Sequence, residues 1–322
     1  MSVIDHLQFG AALDVWAASR ASADPLAHPL ENQDNLLLID ATGLAYYLRD
    51  ELPHSEHLPN WPAGHVRLAV LDGMGGHGHG RQASEAVVAG LLGMPACTSL
   101  AELSGRLDVL HMQLQLHFSV GDDDGVTRHP GTTLTMLEMV PGQETMLYHV
   151  GDSRLYEILP DNVTPLTVDH VPATVFAMAG MLEEHDWWRQ VHGEHRSQIS
   201  QAFILGNAFT NPSRLSAPLF ELHPLNLPPF LYQLADRRAL TLRADALYLL
   251  ASDGFWACAN PVDWVLSWPA LLSQPGQDAR TAIDCLFDQL AHAPPEKLHF
   301  DNITAIALRW RPGERHISSQ KK

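Results

Sequence analysis

The segment AVLDGMGGHGHG, residues 69–80, ends an apolar run on Asp72 and follows it with five glycines and two histidines. A chain that gives up side-chain bulk around one carboxylate can serve three chemistries: a dinucleotide loop, a zinc site, or a carboxylate centre for hard cations. Gly73 to Gly78 has the form G-x-G-x-x-G. A dinucleotide loop also needs a second parallel strand bearing an acidic residue about 20 positions on. Here helical spacing follows the glycines, and Asp72 would face the pyrophosphate. His77 and His79 open an H-x-H pattern, but Arg81 and Gln82 stand where the further ligands of an H-x-H-x-D-H site belong. The remaining histidines, including His185, His192 and His195, show no compact spacing such as H-E-x-x-H.

The third chemistry asks whether other aspartates are presented in the same way. Asp34 in ENQDNLLLID, Asp253 in LYLLASDGFW and Asp301 in HFDNITAIAL each begin or end an apolar run beside Gly or Asn. Asp152 in LYHVGDSRLYEI is a fifth. One Asp at a strand end is an ordinary turn former. Several at the edge of one sandwich place hard oxygen donors where divalent cations can be shared, and glycines after Asp72 let a backbone carbonyl join them.

These carboxylates need strands to carry them. NLLLID (35–40) and VRLAVLD (66–72) read as strands, with ELPHSEHLPNWPAG as a connecting loop. Gln82 to Met94 and Ser99 to about Phe118 have helical spacing. GTTLTMLEMV and ETMLYHVGDSRLYEIL read as successive hairpin strands, and ALTLRADALYLLASDG as a strand pair turning at Ala244–Asp245. PVDWVLSW and ARTAIDCLFDQLAHA read as helices before a last strand in DNITAIALRW. Antiparallel runs with paired helices predict an α+β layered sandwich. The organisation expected is a lead segment at 1–24 and one domain at 25–310 with an irregular flap at about 170–215. A polar, disordered tail at 311–322 completes it.

Taken together, NQD, DGMGGHGHG, GTTL, VGDSRLY, TVDH, HRSQISQAFILG, SDGFW and DNIT resemble, in order, the motifs of the metal-dependent type 2C (PPM-type) Ser/Thr protein phosphatases in their bacterial style. The match runs over roughly residues 30–310. The resemblance implies a four-layer α-β-β-α sandwich, two antiparallel sheets packed face to face with helices outside. It implies two divalent cations, Mn²⁺ or Mg²⁺, held by Asp34, Asp72, the Gly73 carbonyl, Asp253 and Asp301, with Asp72 bridging and Asp152 a weak third-ion ligand. It also implies hydrolysis of phospho-Ser/Thr monoesters by a metal-bridging hydroxide, for which Asp72 and Asp253 count as catalytic. Four carboxylates against two divalent cations are neutral, so a phosphate dianion can approach.

Two departures stand out. Pro29 occupies the place of the family's phosphate-holding arginine, leaving Arg81, Arg20 or Arg49 to replace it, with Arg81 first because it follows the glycines directly. Ala257 stands where a further acidic ligand is usual. A catalytically weak or inactive phosphatase-like scaffold is therefore the alternative reading. The formal net charge of −17 disfavours nucleic acid, and no apolar run is long enough to span a membrane. Cys97, Cys258 and Cys285 form no C-x-x-C, and the start of the chain lacks the features of a secretion signal. The expected setting is the cytoplasm and the expected partner a phosphoprotein, opposing a Ser/Thr kinase.

Overall fold

The computed structural model describes residues 3–21, 31–75, 79–119, 130–193, 198–211, 216, 218–274, 276–299 and 301–311. Two antiparallel sheets dominate. One runs, edge to edge, β14 (Arg237–Leu240), β9 (Thr145–Val150), β8 (Leu134–Met139), β5 (Val66–Leu71), β2 (Asn35–Ile39), β3 (Leu44–Arg49) and β4 (Leu52–His57). The other runs β1 (Leu13–Arg20), β16 (Ile303–Trp310), β15 (Leu247–Ala251), β10 (Arg154–Ile158) and β11 (Val163–Pro165). Two short ladders join β6 (Gly73–Met74) to β7 (Gly131–Thr132) and β12 (Gln201–Ala202) to β13 (Gly206–Asn207).

Successive side chains on a strand point to opposite faces, so a strand buried on both sides must be apolar throughout. In β2, Leu36 and Leu38 pack between the sheets in one layer with Leu68, Val70 and Leu250, whereas Leu37 and Ile39 face outward. The outward face of the larger sheet meets α1 (His79–Gly93) and α2 (Leu100–Ser119) through Val87, Leu91, Leu103 and Leu107. The outward face of the smaller sheet, with Leu249 and Ala307, meets α7 (Ala279–His292) through Ile283, Leu286 and Phe287. Three apolar slabs thus separate four layers, and the α-β-β-α sandwich is what the structure shows.

Several sequence expectations change. The segments 237–240 and 247–251 are both strands but not a hairpin, because β14 pairs with β9 and β15 with β10 and β16. Likewise β8 and β9 form a hairpin, while the chain crosses to the other sheet between β9 and β10. The expected loop at 51–64 contains β4, an exposed edge strand paired with β3. The expected lead segment contains β1, which pairs with β16 along its whole length. The stretch read as an irregular flap holds α3 (Pro172–Met178) and α4 (Glu184–His192), which share a small core around Trp187, Val168 and Leu222. Two further helices, α5 (Pro261–Leu266) and α6 (Trp268–Leu272), are short. The tail from 312 onward lies outside the described residues. Among the described residues, no helix is long and apolar enough to cross a membrane.

One buried polar cluster ties helix to sheet. Arg67 Nε donates to Glu138 at 2.6 Å, and its Nη1 donates to the Leu91 carbonyl, near the end of α1, at 2.7 Å. Burial alone would raise the Glu138 carboxyl, but His65 and Arg67 outweigh it and hold the group below its ordinary value. Breaking such a pair on one side strands a charge in the interior. Glu138→Ala should therefore cost about 3–5 kcal/mol in denaturant unfolding, and a loss below about 1 kcal/mol would contradict this account.

Candidate metal centre

Antiparallel register brings the aspartates together. Asn35 pairs with Leu71 across β2 and β5, so Asp34, just before one strand, and Asp72, just after the other, lie at the same sheet end. In the second sheet Ala251 pairs with both Arg154 and Ala305. That register sets Asp253, Asp152 and Asp301 at one end as well. The two ends meet: Ser252 Oγ donates to Asp34 Oδ2 at 2.7 Å, and the Gln33 N–H donates to Asn302 Oδ1 at 2.8 Å.

The other motifs hold this edge in place. Thr133 of GTTL binds Asp72 twice, accepting its N–H at Oγ1 and donating its own N–H to its carbonyl, both at 2.9 Å. The same hydroxyl shares a 2.6 Å hydrogen bond with Ser153, so it links the Asp72 and Asp152 loops. Gly151 adopts φ +114°, and a Cβ there would lie 2.6 Å from the Thr133 methyl, which explains the glycine. A Cβ on Gly73 would collide with the Gln33 carbonyl and the Gly80 backbone. His170 of TVDH receives the Gly151 N–H at Nδ1, 3.2 Å away, and burial lowers its pKa to about 3, so the ring is neutral.

Arg154 is a polar hub. Its guanidinium donates to Asp169 through Nε at 3.0 Å and Nη2 at 2.7 Å, to the Tyr156 hydroxyl at 2.9 Å and to the Val191 carbonyl at 2.8 Å. Val191 belongs to α4, so this one side chain ties the Asp152 strand to the flap. Sequence reasoning did not single out Arg154, Asp169, Thr133 or Ser252 for these roles, although all lie inside the quoted motifs.

Charge is the dominant feature of the edge. Burial, followed by Asp34, Asp253, Asp152 and Asp301, raises the Asp72 carboxyl well above its ordinary value. Asp34 is raised to about 7, first by burial and then by Asp301 and Asp253, against hydrogen bonds from Ser252 and Thr304. Asp301 is raised to about 6, first by burial and then by Asp253. Asp152 is raised well above its ordinary value by burial, Asp253 and Asp169, with Arg154 opposing. The groups that weigh most on Asp34 and Asp72 are carboxylates and hydroxyls, with no lysine or arginine among them.

An all-oxygen donor set whose strongest neighbours are other carboxylates fits hard divalent cations. Among the described residues, no trio of His, Cys, Asp or Glu side chains forms a ready-made metal cage. Ions held here would need carbonyls and water to complete their shells. His79 is exposed, and His77 lies outside the described residues.

The arginines are placed as follows. Arg81 pairs with Glu31 at 2.5 Å, Asp50 at 2.8 Å and Glu85 at 3.1 Å, so a phosphate role for it would have to compete with three carboxylates. Arg20 ends β1 opposite Ile303, with its guanidinium 4.9 Å from the Phe287 ring centroid. Arg49 lies over Tyr47 at 5.5 Å. Pro29 lies outside the described residues, and Ala257 is fully buried.

No known family model matches the chain. Among curated proteins it is 34% identical over 112 residues to the serine/threonine protein phosphatase PstP of Mycobacterium tuberculosis, covering 33% of this chain and 21% of PstP. It is 30% identical over 131 residues to the protein phosphatase PhpP of Streptococcus pneumoniae, covering 37% of this chain and 50% of PhpP. The chain therefore matches half or less of the length of these relatives. Among solved structures, the Streptococcus agalactiae serine/threonine phosphatase aligns with TM-score 0.62 at 19% identity, over 93% of this chain and 100% of that one. The PstP catalytic domain in complex with two manganese ions aligns with TM-score 0.55 at 22% identity, over 94% and 99%. The chain is thus similar over part of its sequence to bacterial Ser/Thr phosphatases and has the fold of these solved structures.

The raised carboxyls predict a pH dependence. Asp34 and Asp301 keep protons in the metal-free fold up to about 7 and about 6, where the unfolded chain has already released them. Their contribution to metal-free stability is thus fully present below the ordinary carboxyl range and lost as pH rises through about 6–7. Any cation held by these carboxylates would have to displace those protons, so if Mn²⁺ binds there its affinity should climb as pH rises from about 5.5 to about 7.5 and then level off. Calorimetric titrations across that range check it, and a flat affinity would contradict it.

Proposed function

We propose that this chain is a metal-dependent phosphoprotein phosphatase that hydrolyses phospho-Ser/Thr monoesters. The observation that carries the reading is the convergence of Asp34, Asp72, Asp152, Asp253 and Asp301 from both sheets on one edge, with no lysine or arginine among the groups that weigh most on Asp34 and Asp72. Asp34, Asp72, Asp253, Asp301 and the Gly73 carbonyl would hold two Mn²⁺ or Mg²⁺ ions, with Asp152 available to a third. Bound there, the cations would supply Lewis acidity to the phosphoryl oxygens and to the attacking water.

The protein's own contribution is positional. Thr133 fixes the Asp72 backbone, and Ser252 holds the Asp34 carboxylate through Oδ2. Ser252 also receives the Thr304 N–H at 3.0 Å, so its hydroxyl proton is directed at Asp34. The resulting edge has its carboxylates set before substrate arrives, which is the pre-organisation that phosphoryl transfer requires. The physiological substrate would be a phosphoprotein in the cytoplasm whose phosphate a Ser/Thr kinase installs.

Chelator-stripped protein should lose hydrolysis of p-nitrophenyl phosphate and regain it with Mn²⁺ or Mg²⁺. Asp72→Asn and Asp253→Asn should each lower turnover by about a hundredfold or more without unfolding the metal-free chain. Metal binding without turnover, in wild type and mutants alike, would favour the scaffold reading. A separate outcome concerns Arg81. Because its guanidinium is held by three carboxylates, Arg81→Ala should leave KM for p-nitrophenyl phosphate within about threefold. A rise of about tenfold or more would instead identify it as the phosphate-holding arginine.

A further inference from the structure

We infer that the outward face of α2 is a contact surface for a second copy of this chain, the two helices packing antiparallel. Along α2, Gly105, Val109, Met112 and Leu116 follow one another at spacings of four, three and four residues. That is the spacing of a seam between two packed helices, and here it lies opposite the buried residues Leu103, Leu107 and His111. Val109 is 48%, Met112 53% and Leu116 69% exposed. Beside them runs a groove of about 500 Å³ between α2 and the end of α1, lined by Gly90, Gly93, Gly105, Val109 and Leu110 among others. Gly105 sits within the helix, where glycine is less favourable than alanine. A Cβ there would meet nothing within 4 Å, so no close contact inside the chain requires the glycine. A side chain entering the groove from another molecule would.

The protruding and the recessed parts belong to the same face, which is why the occupant is a second copy. Leu116 and Gly105 are eleven residues apart, about 16 Å along the helix. An antiparallel α2 related by a two-fold axis sets Leu116 of each copy over Gly105 of the other and Val109 beside Met112, so one contact seats the whole seam twice. Charge selects the same direction. Arg106 pairs with Glu102 at 2.9 Å, so that end of the seam is balanced within one chain. The antiparallel register brings Glu102 and Arg106 opposite Ser119 and Gln115 of the second copy. A parallel one would face Glu102 with Glu102 and Arg106 with Arg106, which is repulsive. Two copies of net charge −17 repel each other overall, so a contact between them needs such a locally balanced, apolar face. A strip about 30 Å long and about 20 Å wide, the length of α2 and the width of two helices, covers on the order of 600 Å² per copy. A standard interface buries about 800 Å² per partner, so the dimer expected is a reversible one.

Sedimentation of the full chain from about 1 to about 200 µM tests this, and a monomer–dimer equilibrium with a micromolar dissociation constant is expected. Leu116→Glu and Gly105→Leu should each weaken the dimer about tenfold or more while leaving the circular dichroism of the monomer unchanged. Gly105→Ala separates contact between copies from helix stability. It should raise the monomer's denaturant midpoint, because alanine favours the helix, and yet weaken the dimer. Under oxidising conditions the double variant Gly105→Cys, Leu116→Cys should form a covalent dimer, whereas wild type and either single variant should not. A monomer over the whole concentration range overturns the inference, whatever other protein the face binds. So does a dimer that survives both Leu116→Glu and Gly105→Leu. Cross-linking of Leu116→Cys to itself would show a different pairing of the helices and overturn the antiparallel contact.

Discussion

Like charges resist being brought together, and the edge of this sandwich brings five carboxylates together. Asp34, Asp72, Asp152, Asp253 and Asp301 act on one another strongly enough to raise, together with burial, the carboxyls of Asp34, Asp72, Asp152 and Asp301. Such an arrangement persists only if the surrounding fold over-determines it, because carboxylates brought this close favour separation. The remainder of the structure can be understood as the means of holding that edge.

Rigidity comes from the three apolar slabs. Strands buried on both faces have little freedom to slide, since a one-residue slip would exchange every inward and outward side chain. The register is thereby pinned, and with it the positions of residues just beyond the strand ends. At the edge itself apolar packing gives way to short polar ties: Ser252 to Asp34, Gln33 to Asn302, and Thr133 to both Asp72 and Ser153. These link the two sheets where the carboxylates sit. Arg154 extends the network outward, joining Asp169 and the α4 carbonyl of Val191 to the strand that follows Asp152.

Much of this was legible locally. The apolar runs of β2, β5, β15 and β16 and the helices α1, α2 and α7 announce themselves by period and composition, and an Asp at a strand end is visible as such. Edge strand β4 was not, because Leu52–His57 is mostly exposed and carries Pro53 and two histidines, so it lacks the alternation that marks a half-buried strand. The helices α3 and α4 are short and bury their apolar residues only against each other and nearby segments such as 220–231, which weakens their periodic signal. Arg81 illustrates a different limit: its place after the glycines suggested phosphate, yet Glu31 and Asp50, distant in sequence, surround its guanidinium.

What the sequence by itself determined is the apolar strands of the core, the carboxylates at their ends and the glycines beside them, because these depend on side-chain period and on local backbone freedom. Which strands share a sheet was decided only by the tertiary structure. The chain crosses between sheets from β9 to β10 and from β14 to β15, where local turn signals suggested hairpins. The physical reason is that a turn constrains only a few residues, whereas sheet membership is set by which apolar faces can be buried together over the whole domain. The same holds for charge. An aspartate's neighbours along the chain say little about its protonation, which follows from the carboxylates that the fold places beside it.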